Sequence, residues 1–268
     1  MGLFDVHAHL TDPRLAAREA EVLAAAAAAG VTTIVSNGLN PADNAKVLAR
    51  AARSSRVRPA IGLYPVDAVL PEMLAMGIPY ERPDADPVAA DAAVAWVEAH
   101  VEQAVAVGEI GLDRHWVPEA LWARQEEVFR RLVRIAKAAG KPIVVHSRKA
   151  EARMLEVLGE EGIERVDWHC FGGRVKLGLQ IADRGHWLSI PANARKSESF
   201  TKLLKELPRD RVLLETDCPY LGPERGVTNE PRNVSVTAAY AAELWGWPED
   251  RVLAQLESNF TALFGFPP

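Results

Sequence analysis

Short runs of aliphatic and β-branched residues alternate with helical patterns along this chain, and that alternation constrains its fold more than any other feature. Eight such runs fall at residues 3–9, 32–36, 58–62, 105–110, 142–146, 165–169, 186–190 and 212–217, each ending in turn or polar residues. Helical patterns separate them at 16–29, 41–53, 87–103, 118–139, 149–161, 175–183 and 197–206, with two more at 233–245 and 248–264. Repetition of this kind predicts a parallel sheet wrapped by helices, and eight repeats predict a single α/β domain, a (β/α)8 TIM barrel over residues 1–268. The chain has 268 residues, 49% of them hydrophobic, which suits one barrel of about 250 residues better than two small domains. Pro41, Pro118 and Pro248 stand where a first helical turn tolerates proline, and Gly30, Gly140 and Gly185 where helices should stop. Residues 68–86 and 219–232 are expected as loops over the barrel mouth.

A formal charge of -5 argues against general binding of polyanions, so any phosphate recognition needs a local patch. Two cysteines, Cys170 and Cys218, do not make a disulfide scaffold and point to a reducing, cytoplasmic compartment. Both are expected to be packing thiols, facing away from the residues that precede them. Asp5, His7 and His9 occupy the stretch where a signal peptide would need an apolar run, and no segment approaches about 18 uninterrupted apolar residues, so no membrane association is expected. No obligate protein partner is inferred.

His7 and His9 are two apart in an apolar strand, so alternation points both imidazoles the same way. Glu109, His146, His169 and Asp217 fall at the ends of the fourth, fifth, sixth and eighth strands. In a (β/α)8 barrel those C-terminal ends meet at one face, where active sites are built. Four imidazoles and two carboxylates exceed the four ligands of a closed structural zinc site and suit two divalent ions, with a carboxylate bridging them. The competing reading is a set of polar strand ends satisfied by hydrogen bonds. His100, His115 and His186 lie off the pattern and read as surface or core histidines. Parity places Asp5 one layer beneath His7 and Glu215 one layer beneath Asp217; Asp5 either orients a ligand or forms an internal salt bridge. Arg148, two residues past His146, is a candidate for phosphate contact, with Lys149 and Arg114 as further cations.

The segments DVHAHL (5–10), GEIGLD (108–113), VHSR (145–148), HCFGG (169–173) and LLETDCPYL (213–221), with Arg232 and Asn233 after the last, closely resemble the TatD family of metal-dependent deoxyribonucleases. The resemblance runs in order from residue 5 to about residue 235. It implies a barrel of the amidohydrolase-like type in which His7, His9, Glu109 and Asp217 hold one divalent ion. Glu109, His146 and His169 would hold the second, with Glu109 as the bridge and Asp217 also the general base. The ions implied are Zn, Mn or Mg, and the implied substrate is DNA or another phosphodiester, often cleaved from 3' to 5' or at abasic sites. One departure concerns the pattern Gly-x-His-Pro after the third strand: this chain reads Gly62, Leu63, Tyr64, Pro65. Tyr64 puts a neutral phenol where the family places an imidazole near the substrate phosphate, so phosphate contact is expected to differ.

The nearest rival is a metal-dependent hydrolase of a small phosphoester, lactone or amide on the same barrel. Many such sites bridge their metals with a carboxylated lysine on the fourth strand, whereas here that strand carries Glu109. A non-enzymatic metal-dependent binding protein would leave the ligand cluster without a task, and metal-dependent turnover separates the two classes.

Overall fold

A computed structural model describes residues 2–82 and 85–268. One eight-stranded sheet runs in chain order from β1 to β8. Its strands are β1 (Leu3–Ala8), β2 (Val31–Asn37), β3 (Val57–Ile61), β4 (Ala106–Asp113), β5 (Ile143–Arg148), β6 (Val166–Trp168), β7 (Trp187–Ile190) and β8 (Val212–Leu214). Just past β8, Cys218 bridges Ala8 in parallel, and the Asp217 N–H donates to the His7 carbonyl at 2.9 Å. The last strand thus returns to the first, and the chain has the (β/α)8 barrel fold. Every residue of β1 and β4 is buried, as a parallel sheet covered on both faces requires.

By internal contacts the chain falls into two compact units, one joining the first strand to the C-terminal third and containing β1, β7 and β8, the other containing β4 and β5. The first is cored by Phe4 on Phe260 (ring centroids 4.8 Å) and by buried Trp168, Phe171 and Leu188. The second packs the helix Trp122–Ala138 through Val128, Phe129, Leu132 and Val133. Each such side chain contributes roughly 1.5–3 kcal/mol when fully buried. Within the second unit, β4 comes unusually close to β5: a Cβ on Gly111, which pairs with His146, would lie 2.0 Å from the His146 carbonyl oxygen. Only glycine permits that approach, and it fixes the strand that carries His146 against the strand that carries Glu109.

The expected helices form, with corrections at their ends. The pattern at 16–29 divides into Pro13–Ala16 and Glu19–Ala28, because Asp12 caps a separate turn by accepting the Arg14 N–H at 2.9 Å. Residues 68–86 are not loop throughout: Asp67–Val69 is a 3₁₀ turn and Leu70–Ala75 an α-helix. Pro71 sits in that helix's first turn, where it breaks nothing, and the helix buries Met73 with Val66, Val69 and Val117. No helix among the described residues is long and apolar enough to cross a membrane.

Candidate metal centre

In the first unit His7 lies inside β1 and His9 one residue beyond it; they are 0% and 7% exposed. Their Nε2 atoms are 3.1 Å apart, and Asp217 Oδ1 lies 3.7 Å from His7 Nε2 and 3.4 Å from His9 Nε2. Asp217 does not extend a strand, since β8 stops at Leu214 and Asp217 has φ 51°. A left-handed aspartate is a strained choice of the sort concentrated at functional sites. Burial raises the Asp217 carboxyl, but its hydrogen bond to His9 and the fields of His169, His7 and His9 outweigh this and hold it below the usual carboxylate range.

Asp5 lies beneath this group and is fully buried. Its Oδ1 accepts the N–H groups of His7 (3.2 Å) and Thr216 (2.9 Å), and its Oδ2 accepts the Thr216 hydroxyl. Of the two readings open from the sequence, its hydrogen bonds support neither an internal salt bridge nor a bond to an imidazole ring. Asp5 instead ties β1 to the turn that presents Asp217. Burial pushes its carboxyl from 3.8 up to about 8, against the pull of those hydrogen bonds.

His169 follows β6 directly, and its ring stacks on that of His7 with centroids 3.8 Å apart and planes 10° off parallel. Glu215, expected beneath Asp217 as a buried acid, is fully buried and faces His169, its Oε2 lying 3.7 Å from Nδ1. The Ser189 hydroxyl sits 2.7 Å from that same oxygen and 3.1 Å from Asp167 Oδ2. Donor atoms of His7, His169 and Glu215 all lie within 4.8 Å of one another, as do those of His7, His9 and Asp217. Glu215 was not among the expected ligands; the sequence marks it only as a buried acid beneath Asp217.

In the second unit Glu109 lies within β4, not at its end, because the strand continues to Asp113. Glu109 Oε1 is 3.0 Å from His146 Nδ1, and His146 Nε2 is 3.0 Å from Asp113 Oδ2. Burial raises Asp113, but its bond to His146 and the His146 charge, with backbone donors from Trp116 and His115, hold it below the usual range. Asp113 is a site residue that sequence reading missed, although it shares Glu109's parity on β4. Tyr64 places its ring edge-on to His146 at 5.1 Å, with the Arg82 guanidinium 5.1 Å from its own centroid. Burial, then the negative charge of Glu109, pushes the Tyr64 phenol well above its usual value. Arg148 is exposed, with its guanidinium over Trp116 at 5.8 Å, and Arg114 lies over Trp122 at 4.5 Å. Neither Cys170 nor Cys218 is in a disulfide; Cys218 is buried and Cys170 half-buried. His100 stacks on Trp96, and buried His186 meets the Trp168 indole N–H.

These donors fit divalent ions. An ion about 2.0–2.1 Å from each ligand holds neighbouring donors roughly 3.0–3.4 Å apart, close to the 3.1 and 3.4 Å seen at His7, His9 and Asp217 and the 3.0 Å at Glu109 and His146. Charge makes the same point. Where His146 is neutral and donates from Nε2 to Asp113, its Nδ1 lone pair faces the Glu109 carboxylate. Two acceptors at that distance repel unless a cation lies between them.

Comparison with known proteins agrees. Residues 4–265 match the family described as TatD related DNase. The chain is similar to human deoxyribonuclease TATDN3, at 32% identity over 98% of this chain and 95% of the relative. It is also similar to the metal-dependent hydrolase YabD of Bacillus subtilis, at 33% identity over 98% of each chain. The crystal structure of YJJV, a TatD homologue of Escherichia coli, superposes with a TM-score of 0.84 at 25% identity, covering 99% of this chain and 98% of that one. The chain therefore belongs to the TatD-related family of metal-dependent hydrolases, enzymes that act on ester bonds.

Proposed function

We infer that this chain acts as one cytoplasmic catalytic domain that hydrolyses phosphodiester bonds of DNA from the 3' end, using two divalent ions. The observation that carries the reading is the spacing of the His, Glu and Asp donors, within a family named for deoxyribonucleases. In this reading His7, His9, Glu109 and Asp217 hold one ion, Glu109, His146 and His169 hold the other, and Glu109 is shared. The ions are Zn, Mn or Mg, which mixed nitrogen and carboxylate ligands accommodate alike. When bound, they supply Lewis-acid polarisation and stabilise the charge that builds on the phosphoryl oxygens.

The chain's own groups do the rest. Asp217, kept ionised by the histidines around it, takes the proton of the attacking water. General-base catalysis is worth about 10²- to 10⁴-fold, so positioning and electrostatics carry most of the acceleration. Arg148 contacts phosphate, and Tyr64, held neutral, donates one hydrogen bond near it. Digestion of 3'-labelled and 5'-labelled single-stranded DNA with Mg, Mn or Zn, using His7→Ala as control, tests this. Release of 3' mononucleotides by the parent alone supports it. No DNA cleavage with any of these ions, alongside turnover of a small phosphoester, lactone or amide, contradicts it.

A further inference from the structure

β4 ends at Asp113, and the chain turns at once. Asp113 Oδ1 accepts the N–H groups of His115 (2.7 Å) and Trp116 (2.8 Å), while its Oδ2 meets His146. The carboxylate that fixes a metal-ligand candidate therefore also fixes the backbone of Trp116. Yet the Trp116 side chain is not buried: the residue is 47% exposed, an unusual place for an indole held by so rigid a turn.

Trp116 does not stand alone. Its ring lies 5.9 Å from that of Tyr80, Tyr80 hydrogen-bonds Tyr64 through its side chain, and Tyr64 lies 5.1 Å from His146. Tyr64 and Tyr80 pack against the apolar cluster of Val66, Val69, Met73 and Val117, which holds the two rings in place. Cations flank both ends, Arg82 over Tyr64 and Arg148 over Trp116. A continuous aromatic strip thus runs from His146 out to solvent, with guanidinium groups along it.

Aromatic faces beside cations suit a flat ring attached to a phosphate. Stacking of this kind accepts any base, because every base has a π-face, and it needs the base unpaired. We propose that Trp116 is the stacking face for an unpaired nucleobase next to the scissile phosphodiester, with Arg148 holding the adjoining phosphate. The subsite rests on the phosphodiesterase reading above.

The test compares the metal-loaded parent, Trp116→Ala and Trp116→Phe on a single-stranded oligonucleotide and on the same oligonucleotide with abasic residues flanking the cleaved bond. The expected result is a KM for the normal strand raised about tenfold in Trp116→Ala, loss of its preference for the base-bearing strand, and retention of most of that preference in Trp116→Phe. An unchanged preference in Trp116→Ala, or equal losses in both variants, overturns the proposal. Indole fluorescence of the metal-loaded protein, titrated with a phosphorothioate oligonucleotide, gives a readout independent of turnover. Quenching in the parent that Trp116→Phe lacks supports the subsite even where no strand is cut; equal quenching in both rejects it. Failure of the parent to cleave any DNA would count against the nuclease reading, and the fluorescence result would then decide the subsite alone.

Discussion

Asp113 Oδ2 and Glu109 Oε1 lie 3.0 Å from opposite nitrogens of the His146 ring. The carboxylate of Asp113 fixes both the tautomer and the direction of that ring, which raises the basicity of the nitrogen left for a metal. Asp113→Asn should weaken binding of at least one ion about 10- to 100-fold, as loss of such a partner does elsewhere. Chelator competition measures this, and an affinity within twofold of the parent would show that Asp113 does not orient the ligand.

Asp217 combines two duties in the proposed chemistry, ligand and base. Asp217→Asn keeps its size but removes the charge that His7, His9 and His169 stabilise. Turnover should fall by about 10² or more, since base catalysis alone supplies that much. A loss smaller than about tenfold at saturating metal would remove Asp217 from the role of base.

Tyr64 remains a neutral phenol well past its ordinary ionisation range, because burial and the Glu109 charge both oppose its anion. Tyr64→Phe should therefore lower kcat/KM without moving the alkaline limb of the pH profile. Tyr64→His should raise turnover of DNA, because an imidazole can carry positive charge near the phosphate around neutral pH. Unchanged or lower turnover in Tyr64→His would mean that the phenol is not a weaker substitute.

Asp5 sets a pH dependence of stability. Its folded-state carboxyl is pushed up to about 8 from 3.8, so the folded chain keeps a proton that the unfolded chain releases. The stability it contributes is complete below the lower of these values and is lost as pH rises through the upper. Thermal unfolding of metal-free protein should show Tm falling between about pH 4 and pH 8 more steeply in the parent than in Asp5→Asn. Parallel curves would show that Asp5 is ionised when folded.

Much of this was legible in the sequence, and the omissions have physical causes. The β–α alternation predicted the barrel, and the parity of His7 and His9 predicted that their rings converge, as their 3.1 Å contact shows. Asp113 was passed over because Gly108 and Gly111 interrupt the apolar pattern of β4, so the strand was read as ending at Ile110; both glycines serve close packing, Gly111 on the His146 backbone and Gly108 on Val144 and Asn37, not strand termination. Glu215 read from the sequence only as a buried acid beneath Asp217, because its approach to His169 joins residues from separate strand ends that only the fold brings together. The strip of Tyr64, Tyr80 and Trp116 was out of reach, since its members lie on separate loops that only the fold brings together.

The account's central claim is that the His, Glu and Asp donors hold the ions that drive ester cleavage. Metal content of the purified parent, His7→Ala and Glu109→Gln, each read beside its hydrolysis of single-stranded DNA, tests it most directly. The account predicts two divalent ions in the parent, fewer in each variant, and activity that chelation abolishes and added metal restores. DNA hydrolysis that persists in metal-free parent, or full metal content in both variants, would contradict it.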